Sequence, residues 1–240
     1  MTIRERWLLL LMLGLALPVQ AQQEEEEEDP LTGTVKLGYL ATTGNTETSS
    51  LNAGFEAVYT VKRWEHEATA NAVNASENEQ TTAEAYEAGW TSRWSLTEKD
   101  LLFGRLNWRK DRFGGFDTQF SQTVGYGRRV LDNDRHKLRL EAGVGARQSE
   151  DQLGVTTDET ILSGGLDYTF SFSETSSLRQ TIKLEAGNDN TFTESVTALS
   201  ARLIGRLAMT LSYTYRNNSD VPVGSTNSDT RTAIALEYAF

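Results

Sequence analysis

From Thr32 to Phe240 the chain follows a period of two. In "LNAGFEAVY" the residues Leu51, Ala53, Phe55, Ala57 and Tyr59 alternate with Asn52, Gly54, Glu56 and Val58. In "RHKLRLEAGVGAR" Leu138, Leu140, Ala142, Val144 and Ala146 alternate with Arg139, Glu141, Gly143, Gly145 and Arg147. At the end, "TAIALEYAF" sets Ile234, Leu236, Tyr238 and Phe240 against Ala233, Ala235, Glu237 and Ala239. Such alternation places the two sets on opposite faces of a pleated strand. No segment carries a convincing 3.6-residue stripe, so no helix is called for. Twelve runs emerge, at about 32–43, 48–61, 64–77, 80–96, 101–111, 116–130, 135–148, 157–172, 177–187, 191–205, 207–217 and 229–240.

The connections alternate as well. "VKRW", "LTEKD", "LDNDR", "SETSS" and "IGRL" are tight, whereas "NASENEQTT", "KDRFGGFD", "QSEDQLGVTTDE" and "NNSDVPVGSTNS" read as longer polar loops. "TGNTET" and "GNDNT" are compact exceptions. Short turns at one end, longer loops at the other and an even strand number predict an all-β, antiparallel, up-and-down transmembrane β-barrel. The large residues then face lipid. The small and charged ones face the interior, and Phe240 ends the closing strand. Closure also removes the edges that long strands would leave unpaired. A soluble β-sandwich or barrel is the competing architecture.

Composition alone points the other way: 38% hydrophobic and 24% charged residues, a net charge of −11 and a mean hydropathy of −0.47 suit a soluble chain. The N-terminus changes that picture. Arg4 and Arg6 precede an apolar run from Trp7 to Leu17, and Val19-Gln20-Ala21 follows. The run is too short to span a bilayer and the end is small-residue, so residues 1–21 read as a cleavable secretory signal. Residues 22–31, with the acidic run Glu24–Asp29, read as a disordered tail before a barrel over 32–240. The expected location is the bacterial outer membrane. The absence of cysteine removes disulfides, thiolate metal sites and Cys nucleophiles. Trp64, Trp90, Trp94, Trp108, Tyr39, Tyr59, Tyr126, Tyr168, Tyr213, Tyr215 and Tyr238 suit two interfacial girdles. An acidic chain is a poor ligand for nucleic acid. The expected partners are outer-membrane lipid and lipopolysaccharide, with barrel-assembly machinery reading the strand that ends at Phe240.

"LGYLATTGNTETSSLNAGFEAVY" followed by "VKRWEHEATANA", with Gly44-Asn45-Thr46 between two alternating strands and a basic-Trp turn before a third, resembles the salt-stress-induced outer-membrane protein family, often called YdiY-like. The resemblance spans about Thr32 to Phe240. It implies an integral outer-membrane barrel with its N-terminus in the periplasm, and it brings no activity and no catalytic residues. The long acidic tail is not a feature associated with that family.

No enzyme is expected. The two histidines, His66 in "RWEHEA" and His136 in "DNDRHK", fall near short turns and have no serine partner in reach for hydrolase chemistry. "DND" and "GNDN" lack the EF-hand pattern and are turn formers first. Neither a phosphate-binding loop nor a dinucleotide fingerprint is present. No catalytic, cofactor or metal site is therefore assigned. The candidate functional surface is the inward face. It holds Lys36, Glu56, Glu87, Arg93, Arg105, Arg109, Arg129, Arg139, Glu141, Arg147, Asp167, Arg179, Lys183, Glu185, Arg202, Arg216, Arg231 and Glu237. Basic residues outnumber acidic ones two to one there, which predicts a net positive lumen. Twelve strands fall between small filled barrels and wide channels. Two functions follow: a narrow passive pore for small polar or anionic solutes, or a non-conducting structural or stress-linked envelope protein. An outer-membrane hydrolase ranks well below both.

Overall fold

The structure, a computed structural model, describes residues 29–42, 48–222 and 224–240. The expected signal, most of the acidic tail and the Gly44-Asn45-Thr46 turn lie outside the described residues. Every regular element among them is a strand: β1 (Leu31–Thr42), β2 (Thr48–Val61), β3 (Trp64–Glu77), β4 (Gln80–Ser95), β5 (Asp100–Asp111), β6 (Phe116–Asp132), β7 (His136–Asp151), β8 (Thr156–Ser173), β9 (Ser176–Ala186), β10 (Thr191–Ile204), β11 (Leu207–Asn218) and β12 (Ser228–Ala239). Each pairs antiparallel with its neighbours in sequence, and β12 pairs with β1 to close the barrel. The sequence places all twelve strands to within three residues. Leu31, expected in the tail, already belongs to β1.

The seam is short but well held. Lys36 lies opposite Glu237 in the register, and their side chains meet at 3.2 Å. Gly33 and Phe240 exchange backbone hydrogen bonds of 3.1 and 2.9 Å. A Cβ on Gly33 would stand 2.5 Å from the Phe240 ring, so glycine is what lets the terminal aromatic fold back over β1.

One expectation needs correction. "NASENEQTT" and "QSEDQLGVTTDE" are not long loops. Strands β3 and β4 run on until only Asn78 and Glu79 are left between them, at φ 47° and 65°, the positive pair a tight hairpin turn requires. Between β7 and β8 only residues 152–155 remain. Polar residues on both parities had suggested loop, but backbone pairing carries the strands on past the apolar belt. Residues 219–227, between β11 and β12, form the longest described connection. The barrel thus has a short-turn end, where β1 begins and Phe240 ends, and a loop end.

The outer wall is apolar. Leu51, Phe55, Leu106, Val144, Leu162, Leu199, Leu211 and Ile234 are all exposed on it. Toward the short-turn end the wall carries stacked rings. His66 lies 5.7 Å from both Trp64 and Trp90, and its Nδ1 is 2.9 Å from Ser92 Oγ. His136 stacks on Phe170 at 4.9 Å, with Tyr168 Oη 2.9 Å from its Nδ1. Both histidines are therefore part of an outward aromatic band. Trp108, Tyr213 and Tyr215 are exposed nearer the loop end. Among the described residues, strand lengths of 11 to 18 residues meet or exceed the roughly 9–11 needed to cross a bilayer.

Candidate functional site

The interior is built by the opposite parity of the same strands. Pairing carries one face around the barrel: Lys36 faces Gly54, Glu56 faces Thr69, Glu87 faces Arg109, Ser121 faces Arg147, Ser163 faces Glu185, and Glu194 faces Arg216. A small barrel must fill this space with side chains, and here it does so with two ion-pair clusters.

The first lies toward the short-turn end. Arg93, 4% exposed, directs Nη1 to Glu65 at 2.8 Å and to Glu67 at 2.6 Å, and Nε to Glu141 at 3.3 Å. Arg105 also reaches Glu141. Arg139 lies 3.2 Å from Glu141 and 3.3 Å from Asp167. Arg179 meets Asp167 at 2.8 Å and Glu56 at 3.7 Å. The second cluster lies toward the loop end. Arg216 contacts Glu87 and Glu194, each at 2.5 Å. Arg109 contacts Asp111 at 2.6 Å and Glu87 at 3.6 Å. Lys183 contacts Glu185 at 2.8 Å. Burial alone would penalise every one of these charges, and only the dense mutual pairing offsets it.

Arg147 is the most enclosed of them, at 1% exposure. Its Nη2 donates to Glu159 at 2.5 Å and to the Asn190 carbonyl at 2.5 Å, and its Nη1 donates to the Glu185 carbonyl at 3.4 Å. The reason lies in the strand lengths. Strand β9 ends at Ala186, opposite Leu162, so the first residues of β8 outrun it. Glu159 stands in that overhang and accepts the backbone N–H groups of Asp189 and Asn190 at 2.8 and 2.9 Å. The β9–β10 turn is thereby drawn against the inner wall.

The sequence-predicted residues fall as follows. Arg105, Arg109, Arg139, Glu141, Arg147, Asp167, Arg179, Lys183, Glu185, Arg216 and Glu237 are joined by interior ion pairs. Arg129 instead donates to Ser95 and to the Glu98 carbonyl. Arg231 lines the loop-end mouth and Arg202 is exposed at the other end; neither has an ion-pair partner among the described residues. The expected positive excess does not materialise. Glu65, Glu67, Glu159 and Glu194 share the inner face, and they bring the two signs close to balance. Apolar side chains enter too: Leu101, Phe103, Ile161 and Phe192 are buried inside. Gly125 and Gly127 of β6 make room for the first two, since added Cβ atoms would lie 2.7 Å from Phe103 and from Leu101.

Several cavities remain between these groups, and four of them adjoin one another. One of about 280 Å³ opens at the loop end, two of about 180 Å³ follow, and one of about 350 Å³ opens at the short-turn end. Neighbours share their walls: Arg109 and Arg216 at the first junction, Asn107, Lys183 and Glu194 at the second, and Glu67, Arg139, Asp167 and Arg179 at the third. They therefore lie in series along the barrel axis. Each has room for several waters, at about 30 Å³ per water. Asn107 Nδ2, at the middle junction, is enclosed and has no hydrogen-bond partner among the described residues.

A closed barrel with a charged interior and an aromatic-banded apolar outer wall is a membrane β-barrel. Its solved neighbours are of that kind. The NanC porin superposes with a TM-score of 0.52 at 11% identity, over 86% of this chain and 98% of that one. An outer membrane channel from Pseudomonas putida F1 gives 0.54 at 10% identity, over 92% and 100%. At such identity the likeness is one of fold. Residues 35–240 match the family described as "Protein of unknown function, DUF481", and the chain belongs to that family. A relative, the uncharacterized protein YdiY of Escherichia coli (strain K12), is 32% identical over 218 residues, covering 88% of this chain and 83% of that protein.

Proposed function

We propose that the barrel resides in the bacterial outer membrane, short-turn end in the periplasm, and serves as a narrow passive conduit for small polar solutes and ions. The observation that carries this reading is the series of four cavities with shared walls, running from one mouth to the other. The neighbours named above as a porin and a channel support it by analogy of fold. Lipid and lipopolysaccharide would surround the apolar wall, and assembly machinery would read the strand ending at Phe240. The near-balance of interior charge replaces anion preference with weak selectivity, because the rings that set preference here contain both signs. In planar bilayers the purified protein should give small conductance steps with a reversal potential close to zero under a salt gradient. Lys183→Glu at the middle junction should move it toward cation preference. Complete absence of steps refutes the conduit.

A specific feature favours the second reading, a sealed structural barrel: Arg179 and Asp167, bonded at 2.8 Å, both stand at the third junction, and Arg216 and Glu194, bonded at 2.5 Å, link the first to the second. Arg179→Ala separates the readings. It should raise the conductance of a conduit and leave a sealed barrel silent.

A further inference from the structure

The waist of the interior is built from two facing rungs of different character. On β3 to β6 the register lines up Thr69, Gly89, Asn107 and Ser121, all neutral and small. On β9 to β11 it lines up Lys183, Glu194 and Arg216, charged and alternating in sign. In a closed ring of twelve strands β3 stands across from β9 and β5 from β11, so the two rungs face each other. Both line the same cavity of about 180 Å³, and Asn107, Lys183 and Glu194 line the next one as well. The lumen is narrow here: Ser121 Oγ donates across it to Glu185 at 3.0 Å.

Each rung leaves something unused. On the neutral side, Asn107 Nδ2 has no hydrogen-bond partner among the described residues. Asn107 sits beside Gly89, where an added Cβ would come within 2.5 Å of Thr69 Oγ1 and 3.3 Å of Asn107 Oδ1. Glycine thus keeps a recess open between the two polar side chains. Rotation about the broad terminal torsion of the carboxamide brings Nδ2 into the cavity, and Nδ2 has no bond to lose by it. On the charged side, Lys183 and Glu194 lie opposite each other in the register, yet Lys183 is paired with Glu185 at 2.8 Å and Glu194 with Arg216 at 2.5 Å. A positive and a negative group therefore stand side by side, rooted one strand spacing, about 4.8 Å, apart.

That pattern fits a dipole better than a net charge. A lone anion would meet Glu185 and Glu194, and a lone cation would meet Lys183 and Arg216, at close range and with little water to screen them. An uncharged polar molecule would gain hydrogen bonds only. A molecule with both charges on a short frame satisfies both signs at once, as the interior's own ion pairs do. The cavity has room for about six waters at about 30 Å³ each, which sets the size of the ligand.

We infer that this waist is a binding site for small zwitterions of the free amino acid class. The ligand's carboxylate accepts from Asn107 Nδ2 and from Lys183 Nζ, bridging the two rungs, and its ammonium donates to the Glu194 carboxylate. The inference names a solute class for the conduit and rests on that reading for access alone, so binding is measured apart from conduction.

The test uses the purified barrel in detergent micelles with glycine as the probe, followed by ligand-observed saturation-transfer NMR, which reads weak binding. The comparison probes are glycolamide, the uncharged isomer of glycine, and acetate and methylammonium, which carry one of its charges each. Glycine should bind several-fold more tightly than any of the three. Asn107→Ala and Lys183→Met should each weaken it about tenfold, the effect of losing a hydrogen bond to a charged group. Asn107→Ala is the safer variant for folding, because the Nδ2 it removes makes no hydrogen bond among the described residues. Heat-modifiable migration in electrophoresis checks that each variant is a closed barrel. If glycine binds no more tightly than glycolamide, or if both variants as closed barrels bind it as the unmodified protein does, the inference is overturned. Planar-bilayer recordings separate the two claims. Glycine binding without conductance steps removes the conduit and keeps the site, whereas steps without glycine binding keep the conduit and remove the site.

Discussion

Arg147→Met tests the idea that interior ion pairs, in place of an apolar core, fix the barrel's upper wall. The change keeps most of the apolar stem of the side chain and removes the guanidinium with its charge. It deletes the contacts to Glu159 and to the carbonyls of Glu185 and Asn190, and leaves two carboxylates whose side chains are only 4% and 3% exposed. Removing one partner of a buried pair costs about 3–5 kcal/mol. Here the low end applies. Glu159 keeps two backbone N–H donors, and Glu185 keeps Lys183 at 2.8 Å and Ser121 at 3.0 Å. A loss of about 3 kcal/mol, with a urea slope of about 3 kcal/mol per molar, lowers the midpoint by about 1 M. Adding Glu159→Gln neutralises the orphaned carboxylate and should recover about 1–2 kcal/mol, so the two changes are non-additive. The assay is reversible urea unfolding of barrel inserted in lipid vesicles, followed by tryptophan fluorescence. A loss below about 1 kcal/mol, or simple additivity of the pair, refutes the reasoning, because the network would then be solvated and energetically idle.

Other perturbations probe other levels of the fold. Leu211→Arg puts a charge in the lipid-facing belt and should cost about 2–4 kcal/mol in the same titration, whereas Ser212→Arg, one residue on and facing inward, should cost clearly less. Glu79→Gly relieves a non-glycine residue at φ 65° and should stabilise the β3–β4 hairpin by up to about 1 kcal/mol, seen as a higher urea midpoint. A thiol label at Gly224, in the longest described connection, should react on intact cells and one at Glu98 should not; the reverse result would invert the proposed orientation.

Strand positions were legible because alternation is written locally, in each strand's own residues. The overhang of β8, "TTDETIL", is polar on both parities and so read as loop. The lumen was legible only in part, and the misses share one cause. Around Glu65 and Glu67 the intervening residues are His66 and Ala68, so neither parity looks greasy. Glu159 sits among Thr and Asp, and Glu194 in "TFTESV". In such stretches the face is decided by the neighbouring strand. Glu65 is inward because it pairs across from Arg93, Glu159 because it faces Arg147, and Glu194 because it faces Arg216. That information is carried by register, which one strand's pattern does not contain. The basic residues were easier to place because most have a large lipid-facing neighbour on at least one side, and Arg139 has one on both, Leu138 and Leu140.

The same pairing bears on how such a barrel can both stand and conduct. An apolar filling would seal the lumen, and unpaired charges would cost several kcal/mol each. Paired charges of both signs satisfy one another while keeping polar surface along the axis. The cavities lie between them, and the apolar intruders Leu101 and Phe103 are pressed back against glycines of β6. Any solute that passes must exchange contacts with groups already bonded to each other. The junction of Asn107, Lys183 and Glu194 offers an enclosed donor without a partner, a cation and an anion within one wall. A small solute carrying both donors and acceptors can replace those contacts in turn, whereas a large or apolar one must break them without return. On the proposed conduit reading, size and polarity, more than the sign of charge, decide what passes.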